Sequence, residues 1–78
     1  MNVYIIFHNV MHEGSEPVSQ AYSSAVEAQK EALRLHTEYV NKRTAHWNTL
    51  SKSDQRMYGP LHSYIDNEGW SVETFEVI

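Results

Sequence analysis

An α+β fold, a three-stranded antiparallel sheet with helices packed on one face, is what these 78 residues predict. Three observations carry the prediction. Val3 to Phe7 opens the chain as a continuous apolar run of β-branched and aromatic residues. Trp70 to Ile78 closes it with a second aromatic and β-branched stretch. Between them, from Ser24 to Ile65, apolar residues recur three and four apart, which is helical spacing. The element order is β-β-α-α-β, and residues 1–78 have room for one small domain.

The first run, Val3 to Phe7, reads as a strand covered on both faces, because it does not alternate with polar residues. Asn9 to Gln20 holds Gly14, Ser15 and Pro17 and reads as a loop. Val18 to Tyr22 is the expected second strand of a hairpin.

Ser24-Ala25-Val26-Glu27 matches a capping box, in which the serine hydroxyl accepts from the N3 amide and the glutamate reaches back. Ala25, Ala28, Ala32, Leu35 and Tyr39 then form one apolar stripe. Past Tyr39 the stripe drifts onto Val40, Trp47 and Leu50, which predicts a bend or a helix end packed on something else. A helix from Ser24 to about residue 49 would be roughly 39 Å long, more than three short strands can cover. Part of it must project, fold back or meet a partner.

Ser51 to Asp54 is a second helix start, followed by Met57, Leu61, Tyr64 and Ile65 at helical spacing. Gly59-Pro60 should interrupt that stretch, since proline lacks the amide donor and clashes with the preceding turn. Asn67-Glu68-Gly69 ends the helical region. In the last strand the apolar positions are Trp70 and Val72, then Phe75 and Val77. That change of parity predicts a bulge near Glu73-Thr74, or a strand buried in part on both faces. The last strand is expected beside the first, which would make Val3 to Phe7 central.

Three stretches together, Val3-Tyr4-Ile5-Ile6-Phe7-His8, Ala21-Tyr22-Ser23-Ser24 with Ala28, and Gly69-Trp70-Ser71-Val72 with Phe75 and Val77, resemble a family of short uncharacterised bacterial and phage proteins. The resemblance covers roughly half the chain, and residues 40–66 depart from it as a longer helical insert. It implies the fold and no reaction. Short acidic proteins of this kind also resemble phage accessory products, including anti-CRISPR and host-takeover inhibitors. That likeness implies a host or defence protein as partner, met in the host cytoplasm.

Cysteine is absent, so no disulfide supports this small chain, and the amino terminus lacks the basic region of a signal peptide. A cytoplasmic protein with no membrane partner is expected. All six basic residues lie between Lys30 and Arg56, leaving both ends acidic within a net charge of −4. Lys42, Arg43, His46 and Trp47 form the one basic cluster, so nucleic acid is not an expected partner.

No nucleophile elbow or phosphate loop is present, and Ser23 and Ser24 are accounted for by helix capping. An enzyme is not expected, nor a cofactor. His8, His12 and Glu13 could together hold a metal, or border a small-molecule site, although no helical histidine pair or cysteine accompanies them. Tyr39, Arg43, Trp47, Met57, Tyr58 and Tyr64 are of the types enriched at interfaces and exceed what two short helices need for packing. The expected function is therefore a non-enzymatic protein-binding module, of the phage-inhibitor type, contacting its partner through those six residues. Metal or small-molecule binding at the His8–Glu13 loop is one alternative, and a structural homodimer is another.

Overall fold

A computed structural model describes residues 1–18 and 20–78 of the chain. The elements run β1 (Asn2–Val10), β2 (Gly14–Pro17), α1 (Ala25–Thr49), α2 (Lys52–Tyr58), α3 (Leu61–Ile65) and β3 (Glu68–Glu76). Among the described residues the sheet has three antiparallel strands in the order β2-β1-β3, with β1 central as expected.

The hairpin partner lies earlier than its sequence suggests. Gly14–Pro17 pairs with β1, His8 opposite Glu16 and Val10 opposite Gly14, whereas of the expected strand Val18–Tyr22 the described residues show only an isolated bridge from Tyr22 to Tyr4. Its ends still touch β1. Val18 N–H donates to the Ile6 carbonyl at 3.0 Å, and Tyr22 exchanges two 2.8 Å backbone bonds with Tyr4. Ser19, inside that expected strand, lies outside the described residues. The cause of the shift is the turn before it. Glu13 N–H donates to Val10 carbonyl, and His12 takes a left-handed φ of 67°, so the chain reverses within three residues. Pairing then starts at Gly14, and polar residues suffice because this edge strand is wholly exposed.

Strand β3 pairs with all of β1, from Asn2 opposite Glu76 to Val10 opposite Glu68, in one register and without the expected bulge. The change of parity follows the other expectation, a strand buried in part on both faces: Trp70 and Val72 face the helices, while Phe75 faces away from them and lies 6.2 Å from Phe7, centroid to centroid.

Helix α1 starts where the capping signal places it, Ser24 Oγ accepting from Glu27 N–H at 3.4 Å. Ser51 caps α2 in the same way, accepting from Asp54 N–H at 3.2 Å. Gly59, with φ 83°, and Pro60 divide α2 from α3, as their chemistry requires. The stripe of Ala28 and Ala32 packs against the sheet beneath, where Ile6 is fully buried. Small alanines let the helix approach closely, and they leave a thin core: Ile6, Ala28, Ala32 and Tyr64 are its buried hydrophobic residues.

Past Tyr39, α1 runs beyond the sheet, and α3 folds back on it. The result is a rod, 55 × 22 × 15 Å, with a radius of gyration of 15.6 Å. About 11.5 Å is usual for a compact chain of this length. Accessible surface is correspondingly large, 5695 Å², against about 4900 Å² for a folded monomer of this mass.

Candidate interaction surface

Tyr64 organises the helical end of the rod. It is 4% exposed, with Trp47 and Tyr58 packed on it at centroid separations of 5.5 and 5.4 Å. Its hydroxyl is hydrogen-bonded to His46 Nδ1. Arg43 lays its guanidinium over the ring at 3.7 Å and donates to the Tyr64 carbonyl at 3.0 and 3.3 Å. Three side chains of α1 thereby fasten α3, and this is what α1 meets after its apolar stripe drifts. Tyr64 and Arg43 hold the fold at this end, and buried Tyr64 presents no surface to a partner. Met57, 73% exposed, and Tyr58, 53% exposed, do present surface, beside a half-buried Trp47.

Tyr39 belongs to a second cluster, at the sheet. Its ring lies 5.4 Å from Trp70, which stacks on His8 at 4.7 Å and takes His36 edge-on at 6.0 Å. The Tyr39 hydroxyl is shut away from water without a hydrogen bond. Burial pushes its pKa above the usual tyrosine value, against the opposing pull of Arg43.

His8 belongs to this cluster. Its Nε2 is 2.7 Å from a Glu68 carboxylate oxygen, and its ring lies flat on Trp70. A concavity of about 280 Å³ is lined by His8, Val10, Glu13, Gly14, Ser15 and Glu16. His12 sits instead at the exposed tip of the turn. Among the described residues no three histidine, aspartate or glutamate side chains converge as a metal would need, so His8, His12 and Glu13 are not assembled into a ligand set. The pairing with Glu68 orients the His8 ring.

The sheet face opposite the helices is the largest feature that residue types alone do not reveal. Val3, Ile5 and Phe7 of β1 project there with Phe75 of β3 and Pro17 of β2, because directly opposed residues share a face. Phe75 is 44% exposed, and none of the helices covers this side. The expectation that Val3–Phe7 is covered on both faces is thus met on one face only. At the far end the same face turns polar, where Asn9 accepts from Ser15 Oγ and donates to Ser71 Oγ at 3.0 Å. The signal for Phe75 is in the sequence: once β3 is read without a bulge, its parity sends Phe75 and Trp70 to opposite faces. Around this sheet Glu13, Glu16, Glu68, Glu73 and Glu76 occur with no lysine or arginine on any strand.

No helix among the described residues is long and apolar enough to cross a membrane. Comparison with protein-family models, with curated proteins and with solved structures finds no match to this chain.

Proposed function

We propose that this chain is a non-enzymatic protein-binding module. The observation that carries the reading is the apolar sheet face that no helix covers, half-buried Val3, Ile5 and Phe7 beside exposed Phe75, on a chain with about 800 Å² more accessible surface than its mass calls for. An excess of that size matches one side of an ordinary protein interface. Strands bearing glutamates and no base favour a partner whose apolar patch is rimmed by lysine or arginine. Met57 and Tyr58 add a smaller aromatic patch at the other end of the rod.

The narrower reading is that the partner is a host or defence protein and the chain a phage-type, anti-CRISPR-like inhibitor acting in the host cytoplasm. It is supported by the resemblance of the two end strands and the helix entry, and by small size and acidity.

Capture from bacterial extract, followed by titration of the purified captured protein, tests the module. Phe75→Ser should weaken binding about tenfold, the loss of one aromatic anchor worth roughly 1.4 kcal/mol, with an unchanged circular dichroism spectrum. Tyr58→Ala should weaken it less. Full affinity in a folded Phe75→Ser chain would remove the sheet face from the interface.

A further inference from the structure

We infer that two copies of this chain pair through the free edge of β3, antiparallel about a two-fold axis at Val72, with their α1 helices side by side on one face of a six-stranded sheet. The inference goes beyond the protein-binding reading and uses a different surface.

The edge itself is unguarded. In an antiparallel pair the backbone bonds of successive residues point alternately to the two sides. Val77 N–H bonds to Met1 carbonyl, and Tyr4 and Ile6 turn their backbone toward the segment on the far side of β1. By alternation, Glu68, Trp70, Val72, Thr74 and Glu76 turn their amides and carbonyls outward from β3. Nine residues long, the strand has no proline, lysine or bulge to deter pairing.

The helix above leans toward that edge. Although β1 is the central strand, α1 packs more on β3 than on β1. Val26, Leu33, Val40 and Trp47 are seven apart on it, a ridge about 100° round the helix from the alanines that face the sheet. Leu33 is 65% and Val26 60% exposed, unusual for aliphatic residues aligned on one helix face. Leu33 also lines a trough between α1 and β3 with Ala32, His36, Trp70 and Val72. The exposed part of that ridge, Val26 and Leu33, therefore lies over the uncovered edge, while Trp47 at its end packs on Tyr64.

One rotation satisfies both, which is what selects a second copy over a foreign strand. An axis at Val72 pairs all nine residues of β3 with the same strand of the other copy, Trp70 opposite Thr74. It brings Leu33, which shares the trough with Val72, against its own copy, and Val26 against Val40. The spacing agrees. Strands lie about 4.8 Å apart, so each β3 would stand about 2.4 Å from the axis and each β1 about 7 Å. A helix seated over those two strands, nearer β3, stands about 4 Å out, and two such helices are then about 8 Å apart, the close end of the range for packed helices. A foreign strand would fill the edge and leave the ridge bare. The one unfavourable pairing is Glu68 opposite Glu76 at each end, and Glu68 already has His8 at 2.7 Å.

Sedimentation equilibrium across the micromolar range should give twice the 9.1 kDa chain mass. Leu33→Asp, at an exposed site, and Thr74→Pro, which removes only an outward amide, should each halve that mass while far-ultraviolet dichroism is retained. A single-copy mass for the natural chain overturns the inference, as does a pair that survives both substitutions. Crosslinking checks the geometry without relying on those variants. In this cysteine-free chain, a short bis-thiol linker should join two copies at Leu33→Cys and not at Ser51→Cys; joining at Ser51→Cys alone, or at neither, overturns it.

Discussion

Arg43 and Tyr64, 21 residues apart in sequence, form a two-point clasp: the guanidinium lies 3.7 Å from the ring centroid and also donates to that residue's carbonyl. A cation over an aromatic face and a charge-assisted bond to the last turn of a short helix act together here. Helix α3 has five residues, too few to persist alone. Its place on α1 depends on this contact, on the His46 bond and on ring packing.

Arg43→Met should therefore cost about 1–3 kcal/mol, a melting-point fall of several degrees for a domain this small. Arg43→Lys should recover only part of it, because an ammonium cannot reproduce the planar fork. Amide exchange in Leu61–Ile65 should rise well before exchange in β1. Uniform exchange across both elements would show that the clasp does not hold α3 separately.

Tyr39 makes the opposite prediction. Arg43 and Glu68 both act on its hydroxyl, in opposite senses, yet neither meets it in full hydrogen-bond geometry, and it is closed off from water. Removing an unpaired buried hydroxyl relieves its desolvation cost, so Tyr39→Phe should leave stability unchanged or raise it by about 1 kcal/mol. Thermal melts settle the sign. In a spectrophotometric titration of the natural chain, Tyr39 should ionise above the ordinary value of 10.0.

His12 holds a φ of 67°, a region costly to a residue with a Cβ and open to glycine. His12→Gly should therefore stabilise the turn by about 0.5–1 kcal/mol, net of the greater freedom of glycine in the unfolded chain. Zinc or EDTA should move the melting point of neither chain, whereas a metal-dependent shift abolished by His12→Gly would restore this histidine as a ligand.

The exposed face of α1 carries a charge ladder with a definite pH signature. A hydrogen bond from Arg34 holds Glu31 below the ordinary 4.5, and one from Lys42, at 2.9 Å, does the same for Glu38. A lowered folded pKa means that the stabilisation is fully present above about pH 4.5 and fades as pH falls through the lowered values. Melting points at pH 6 and pH 3.5 should differ less in Glu38→Gln than in the natural chain. The same difference should shrink in molar salt, which screens exposed pairs.

The fold was legible wherever the backbone chemistry is local. Ser24 and Ser51 mark helix starts, Gly59-Pro60 marks a break, and the unbroken apolar run of Val3–Phe7 marks the central strand. Strand β2 was not legible, because Gly14-Ser15-Glu16-Pro17 has no apolar alternation and pairs through backbone alone, following a turn set by His12. For the six residues read as a contact surface, burial is the deciding property, and at the helical end it depends on how α3 folds back. Spacing cannot distinguish Tyr64, which is enclosed, from Tyr58, which is not. The ridge of Val26, Leu33, Val40 and Trp47 is visible as a seven-residue repeat, but its meaning depends on which way α1 leans across the sheet.

Helix α1 outruns the strands beneath it, and Thr49 lies about 24 Å along its axis from Leu33. A two-fold pair meeting at Leu33 would point its Met57–Tyr58 tips in opposite directions, roughly 50 Å apart. Such a particle is a calliper with a fixed gauge. A target offering two sites at that gauge would be gripped far more tightly than either jaw alone could manage, by the effective-concentration gain of bivalent attachment, and a target with one site would gain nothing.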